Sequence, residues 1–199
     1  MKHFRVKGFL WAVLLCLSFS SFAGPVSMLQ GVSKRMLAQL EQRQGRLTYA
    51  MITNIVNRTI VPVMDVRRMS GMVVGREYWR GATSSQRSNF ITQFKRLVIN
   101  TYADALKSYN DDRVKFYPLR GGASGSVVRV KSLLIRKNGQ EIPMNYNLIK
   151  RGGHWKVYDF SIEGVSLVRN YRSQFSSTLR KGGMPQLIAR LKTYNKRAR

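Results

Sequence analysis

The sequence predicts an α+β protein in which helices from both ends of the chain pack on a curved antiparallel sheet of about four strands. Apolar residues recur at three- and four-residue spacing in both terminal parts of the chain, which is typical of amphipathic helices. Between residues 114 and 162 apolar and polar residues instead alternate, which is typical of half-buried strands. Because strands and helices occupy separate stretches of chain, the order indicates an α+β arrangement.

The first 23 residues predict a signal peptide that is cleaved after Ala23. Basic residues at positions 2, 5 and 7 precede an uncharged apolar run from Phe9 to Phe22, which is short for a membrane span. An uncleaved anchor is the alternative. Cleavage would leave a single domain of residues 24–199 and would remove Cys16, the only cysteine. We therefore expect an exported protein without disulfide or thiol chemistry.

The chain is strongly basic, with 35 Lys and Arg against 9 Asp and Glu and a net charge of +26, or +23 without the signal peptide. Such a charge suggests nucleic-acid binding in a cytosolic protein, but the predicted export argues against that class. Two interpretations remain open at this point. The charge could form a generally basic surface, or it could attract anionic lipid headgroups or an acidic partner.

Three helices are predicted in the first part of the domain. Residues 28–42 present one apolar face, and a second helix from Leu47 to Ile60 ends before Pro62. Asp65 can cap a short third helix that ends near Gly75.

The clearest helix begins after Thr83, whose spacing from Gln86 fits a capping box. One face of this helix stays apolar for about four turns. Its residues are Phe90, Phe94, Leu97, Val98, Thr101, Tyr102, Ala105 and Leu106.

The strands follow. A first strand is predicted from Val114 to Leu119. Asn138-Gly139 then lies between two alternating segments, Val127–Lys137 and Gln140–Lys150, and predicts a β-hairpin. Gly152-Gly153 turns the chain into a further strand that begins at Trp155.

The last part of the chain predicts a strand followed closely by a helix. Tyr158, Phe160 and Ile162 alternate with polar residues until Glu163-Gly164 interrupts the pattern. A long helix is expected to begin near Glu163 and to break at Gly182-Gly183, and Pro185 suits the first turn of a final helix. The apolar stripe of the long helix comprises Val165, Val168, Tyr171, Phe175 and Leu179.

No catalytic or metal-binding pattern stands out after residue 23. His154 would be the only histidine, and it lies in a glycine turn without a nucleophile elbow nearby. The adjacent Asp111-Asp112 pair is expected in a turn, and the spacing of Gly121 to Gly125 fits no phosphate-binding loop. These observations favour a binding or carrier protein over an enzyme, with no metal or cofactor.

Three segments carry a resemblance to a known family. The first joins Ile60-Val61-Pro62-Val63-Met64-Asp65 to Arg68-Met69. The second runs from Val74-Gly75 through Tyr78-Trp79-Arg80, Ala82-Thr83, Gln86-Arg87, Phe90 and Phe94 to Tyr102. The third runs from Trp155-Lys156-Val157-Tyr158-Asp159 through Glu163-Gly164-Val165-Ser166-Leu167 and Asn170-Tyr171-Arg172 to Gln174-Phe175. With these segments the chain resembles the MlaC or toluene-tolerance family, the periplasmic phospholipid-binding component of the Mla pathway.

The resemblance implies a curved sheet and helices that enclose a deep apolar pocket for phospholipid acyl chains. It further implies a periplasmic carrier whose cargo is phospholipid. The expected partners are an outer-membrane lipoprotein–porin complex and an inner-membrane ATP-driven transporter with an MCE-domain subunit, with transient membrane contact. The function implied is maintenance of outer-membrane lipid asymmetry. The excess of positive charge departs from the family. A basic envelope adaptor that binds anionic membranes or proteins without a lipid cavity is the alternative.

The predicted pocket wall combines the apolar faces of the long helix, the hairpin and the Trp155–Phe175 segment. Its members are Phe90, Phe94, Val98, Tyr102, Met144, Tyr146, Leu148, Val157, Phe160, Val165, Val168 and Tyr171. Asp159 lies among apolar strand residues, where an unpaired carboxylate is costly. We therefore expect Asp159 to form a structural ion pair with Arg172, or alternatively with Arg80.

Overall fold

The computed structural model describes residues 24–119, 121–123 and 125–197. The predicted signal peptide lies outside these residues. The described chain has the predicted α+β fold: an antiparallel sheet with helices from both ends of the chain packed against it. None of the described helices combines the length and hydropathy needed to cross a membrane.

The described helices agree closely with those predicted, with one addition. They are α1 (Pro25–Glu41), α2 (Tyr49–Thr59), α3 (Val66–Val74), α4 (Arg76–Gly81), α5 (Ser84–Lys107) and α6 (Leu167–Arg197), with a 3₁₀ turn at Val61–Val63 after α2. The predicted capping box is present at the start of α5, where Thr83 and Gln86 each accept the other's backbone N–H. The additional helix is α4, which follows α3 directly because Gly75 adopts a positive φ of 85° between them.

The sheet is a meander in which each strand pairs with the next, in the order β1-β2-β3-β4-β5. Its strands are β1 (Arg113–Phe116), β2 (Val127–Ile135), β3 (Glu141–Arg151), β4 (His154–Ile162) and β5 (Val165–Ser166). The predicted hairpin at Asn138-Gly139 connects β2 to β3. The two-residue β5 adds a fifth strand to the four predicted, because Glu163 and Gly164 both have positive φ and fold the chain back onto β4.

The main core lies between α5 and α6. Phe90 and Phe94 stack on α5 with ring centroids 5.6 Å apart, and Tyr171 and Phe175 of α6 meet Phe94 edge-on. Residues of α3 complete this cluster. A smaller second cluster joins Leu29 of α1 to the sheet, so α1 covers one part of the sheet's inner face.

The junction before α6 differs from the prediction. The helix begins at Leu167 rather than near Glu163, with Ser166 accepting the N–H of Arg169 at its first turn. The interruption at Gly182-Gly183 is confirmed, because both glycines have non-helical backbone angles.

The predicted ion pair between Asp159 and Arg172 is not formed. The Asp159 carboxylate instead accepts the Ser166 hydroxyl at 2.8 Å and the Val168 N–H at 3.1 Å. The start of α6 therefore supplies the donors that a buried carboxylate needs. Arg172 lies against Gly75 on the side of α6 that faces α3, and Arg80 is not paired with Asp159 among the described ion pairs either.

Candidate functional site

A cavity of about 340 Å³ lies between the inner face of the sheet and helices α1, α2 and α5. This volume is within the range of small-molecule binding sites, which begins at roughly 300 Å³. The surrounding side chains are mostly aliphatic, methionine or aromatic. They are Leu29, Val32, Ser33, Met36, Leu37, Leu40, Val56, Ile60, Val61, Val63, Met64, Val66, Met69, Phe94, Lys95, Val98, Ile99, Tyr102, Ala105, Leu106, Tyr109, Asp112, Val114, Phe116, Leu134, Arg136, Met144, Tyr146, Val157, Phe160 and Ile162.

The C-terminal half of helix α5 forms one wall of the cavity. Phe94, Val98 and Tyr102 are four residues apart and therefore lie on one face of the helix. Phe94 belongs to the filled core at one end, whereas Val98 and Tyr102 are only partly buried. The same apolar face thus passes from solid core into cavity wall along the helix.

The sheet forms the opposite wall, and a β-bulge in β4 determines which residues it contributes. Asn147 pairs with Asp159 but the next residue, Leu148, pairs with Val157, so Tyr158 is the extra residue. The bulge reverses the alternation, which is why Val157 and Phe160 both reach the cavity although they are three positions apart. The predicted common face of Tyr158, Phe160 and Ile162 is therefore wrong for Tyr158, which instead stacks under Arg68.

The structure brings most of the predicted wall residues together at the cavity. These are Phe94, Val98, Tyr102, Met144, Tyr146, Val157 and Phe160. That they contact lipid remains a prediction.

Five other predicted wall residues do not line the cavity. Phe90, Val168 and Tyr171 are buried in the filled core between α5 and α6. Leu148 is fully buried beside Trp155 in the second core cluster. Val165 is 58% exposed, because it belongs to the two-residue β5 rather than to α6.

The predicted wall contains no residue of the N-terminal helices, although they supply much of the observed one. Leu29, Val32 and Met36 line the cavity from α1. Ile60 and Met64 line it near the 3₁₀ turn. The apolar stripe of α1 was visible in the sequence, but its spacing does not show which layer the stripe covers.

Among the described residues that line the cavity, three carry a charge: Lys95, Asp112 and Arg136. Lys95 has no carboxylate within 4 Å among the described residues. Asp112 and Arg136 face each other, with Oδ2 of Asp112 3.5 Å from Nη1 of Arg136. Asp112 is only 7% exposed, and its second oxygen, Oδ1, has no hydrogen-bond partner in the described structure.

Because several tyrosines in and near the cavity are buried, we expect the protein to lose stability at alkaline pH. Burial raises the pKa of Tyr146, opposed by the Ser132 hydroxyl, and burial also raises the pKa of Tyr102 and Tyr171. A pKa raised on folding gives stability that is present below the unfolded value of 10.0 and is lost as pH rises through the folded pKa. We expect urea unfolding, measured from about pH 8 to about pH 11, to show a free energy of unfolding that falls above about pH 10. Tyr146→Phe should flatten the fall, whereas Tyr117→Phe, at a more exposed position, should leave it unchanged.

The described part of the chain has no cluster of three His, Cys, Asp or Glu side chains suited to a metal ion. Its cavity offers apolar surface with a few charged groups, an arrangement suited to holding an elongated apolar ligand with a polar end.

Comparisons with known proteins agree with this geometry. The family model described as MlaC protein matches residues 30–193. The toluene tolerance protein ttg2D of Pseudomonas putida is 27% identical over 161 residues, which cover 80% of this chain and 74% of that protein. The intermembrane phospholipid transport system binding protein MlaC of Haemophilus influenzae is 22% identical over 196 residues, covering 96% of this chain and 91% of that one.

A solved structure is also similar. The phospholipid-binding protein from Ralstonia solanacearum, solved in complex with a phospholipid, superposes with a TM-score of 0.81 at 29% identity. The match covers 88% of this chain and 99% of that one.

Proposed function

The chain belongs to the MlaC family, and we propose that it is a periplasmic phospholipid carrier. The observation that carries the proposal is the apolar cavity of about 340 Å³ between α5 and the sheet. The similarity to a protein solved with a bound phospholipid supports the same cargo for this chain. Acyl chains would occupy the region around Val98, Tyr102 and Met144.

The physical chemistry of such a cavity suits transport through water. Each buried methylene contributes about 0.8 kcal/mol, so a diacyl lipid with roughly thirty methylenes would gain on the order of 20 kcal/mol before opposing terms. Release into water would then be negligibly slow. A carrier of this kind therefore needs a membrane or a protein partner that accepts the chains directly.

The proposal includes the cellular role expected for this family. The chain would be a single domain after removal of residues 1–23, and it would act in the periplasm. It would carry phospholipid between an outer-membrane lipoprotein–porin complex and an inner-membrane transporter with an MCE-domain subunit, and so would maintain outer-membrane lipid asymmetry. We propose no catalytic role. The alternative of a basic adaptor without a lipid cavity is less consistent with the cavity lined by α1, α2, α5 and the sheet.

Native mass spectrometry of the protein purified after export tests the proposal. We expect a mass shift equal to one or more phospholipids, which thin-layer chromatography of an organic extract should identify. After delipidation the protein should regain lipid from vesicles. A lipid-free protein that takes up none from vesicles would contradict the carrier function.

A further inference from the structure

The charged pair Asp112–Arg136 lies on a cavity wall that is mostly apolar. We propose that this pair is a headgroup subsite for a phospholipid with a phosphate and a primary ammonium group, with Arg136 facing the phosphate and Asp112 the ammonium. The inference rests on the proposed carrier function and adds the headgroup chemistry and the orientation of the lipid.

The register of the sheet directs this pair inward. Arg113 pairs with Ile135, and the same antiparallel spacing places Asp112 opposite Arg136 and Asp111 opposite Lys137. Asp112 and Arg136 lie two positions beyond Val114 and Leu134, a strand pair that lines the cavity, so the two-residue period places them on the same face. Asp112 and Arg136 line the cavity, whereas the side chains of Asp111 and Lys137 are 53% and 60% exposed.

The buried carboxylate lacks the hydrogen bonds that its burial demands. Asp112 is 7% exposed, its contact with Arg136 is long at 3.5 Å, and Oδ1 has no partner among the described residues. The buried carboxylate of Asp159 is better satisfied, because it accepts the Ser166 hydroxyl and the Val168 N–H. A buried carboxylate oxygen that faces a cavity without a hydrogen-bond partner indicates a ligand donor at that position.

Arg136 supplies the complementary charge. Its backbone is held by the hairpin, where its N–H donates to the carbonyl of Gln140. Nη2 lies 3.5 Å from the carbonyl oxygen of Ser108, and the side chain is 27% exposed. The guanidinium therefore has donors free for a phosphate at a point that solvent reaches, as a headgroup requires.

The two charges of this pair distinguish headgroups that carry a primary ammonium from those that do not. All phospholipids present a phosphate to Arg136, but only a primary ammonium both donates hydrogen bonds and carries positive charge toward Asp112. Phosphatidylcholine has the charge without a donor, and phosphatidylglycerol has no cation. The basic surface of the protein would favour the anionic phosphatidylglycerol, so a preference for phosphatidylethanolamine could not arise from net charge.

The test is a competition for the delipidated full protein. Vesicles contain phosphatidylethanolamine, phosphatidylcholine and phosphatidylglycerol in equal amounts with identical acyl chains, at about 150 mM salt to screen surface charge. Native mass spectrometry then measures the lipid bound. Because a hydrogen bond to a charged group is at stake, we expect bound phosphatidylethanolamine to exceed phosphatidylcholine by about tenfold. D112N should lose this preference, and R136Q should lower uptake of all three lipids.

The exposed neighbouring pair provides matched controls: D111N and K137Q make the same charge changes and should behave as wild type. A second measurement changes the lipid instead of the protein. Stepwise N-methylation of phosphatidylethanolamine should lower its share of bound lipid. A bound mixture equal to that of the vesicles, or a preference that survives in D112N, would overturn the headgroup subsite while leaving the carrier function intact. Absence of any bound lipid would overturn both.

Discussion

Replacing Val98 by tryptophan is expected to weaken phospholipid binding at least tenfold while preserving the fold. Val98 is partly buried on the cavity face of α5, between Phe94 and Tyr102. The larger side chain can extend into existing space, so the strain of overpacking a filled core is avoided. Displacing even two methylenes, each worth about 0.8 kcal/mol, lowers affinity about tenfold, so native mass spectrometry should show at least that loss of bound lipid.

Val165→Trp is the matched control for this experiment. It introduces the same side chain at a position that is 58% exposed and outside the cavity, and it should retain lipid as wild type does. Because a ligand that binds only the folded state stabilises it, delipidation should lower the Tm of wild type and Val165→Trp more than that of Val98→Trp. Normal lipid uptake by a folded Val98→Trp variant would show that the lipid lies elsewhere.

The elements themselves could be predicted from sequence because their signals are local. The capping box of Thr83 and Gln86 marks the start of α5, and Asn138-Gly139 marks the hairpin. Each signal depends on residues within a few positions of one another, and tertiary packing supports it rather than opposing it. The short α4 was missed because six residues are too few to show a helical period.

The division between cavity and core could not be predicted, because periodicity identifies a face without showing what lies opposite it. Phe90 and Val98 lie on one apolar face of α5, yet Phe90 packs against Phe175 of α6 while Val98 faces open space. The difference comes from the separation of layers, which depends on where α1 and α6 dock. That information lies in long-range packing and not in the spacing within α5.

The β-bulge at Tyr158 left a signal that could have been recognised. Trp155 and Val157 alternate in one phase, and Phe160 and Ile162 alternate in the other. A change of phase within one strand is what an inserted residue produces. The predicted wall includes both Val157 and Phe160, and a bulge between them is required to place both on one face.

Replacing Asp159 by alanine is expected to cause the largest loss of stability among these variants. Its carboxylate accepts the Ser166 hydroxyl and the Val168 N–H, and Asn147 lies 3.4 Å away. The substitution leaves these donors buried without their acceptor and removes a negative charge from the start of α6. We expect urea unfolding to show a loss of about 3 kcal/mol, because a charged acceptor is removed from buried donors.

The loss should also appear as a fall in Tm of roughly 6 to 12 °C for a domain of this size. Asp104→Ala is the control, because the Asp104 side chain is 91% exposed and pairs only with Lys107 on the surface. Its effect should stay within about 0.5 kcal/mol. If Asp159→Ala were equally mild, the carboxylate could not be the group that holds the start of α6 against β4.

A double-mutant cycle with Ser166→Ala identifies how the junction is held. The Ser166 hydroxyl donates to Asp159 while its oxygen accepts the Arg169 N–H, so one side chain connects the strand carboxylate to the first turn of α6. Because the two residues share this hydrogen bond, their effects should not add, with a coupling of about 1 kcal/mol. Phe160, the next residue after Asp159, lines the cavity. The double variant should therefore also bind less lipid than Asp104→Ala, since loosening this junction frees the adjacent part of the wall.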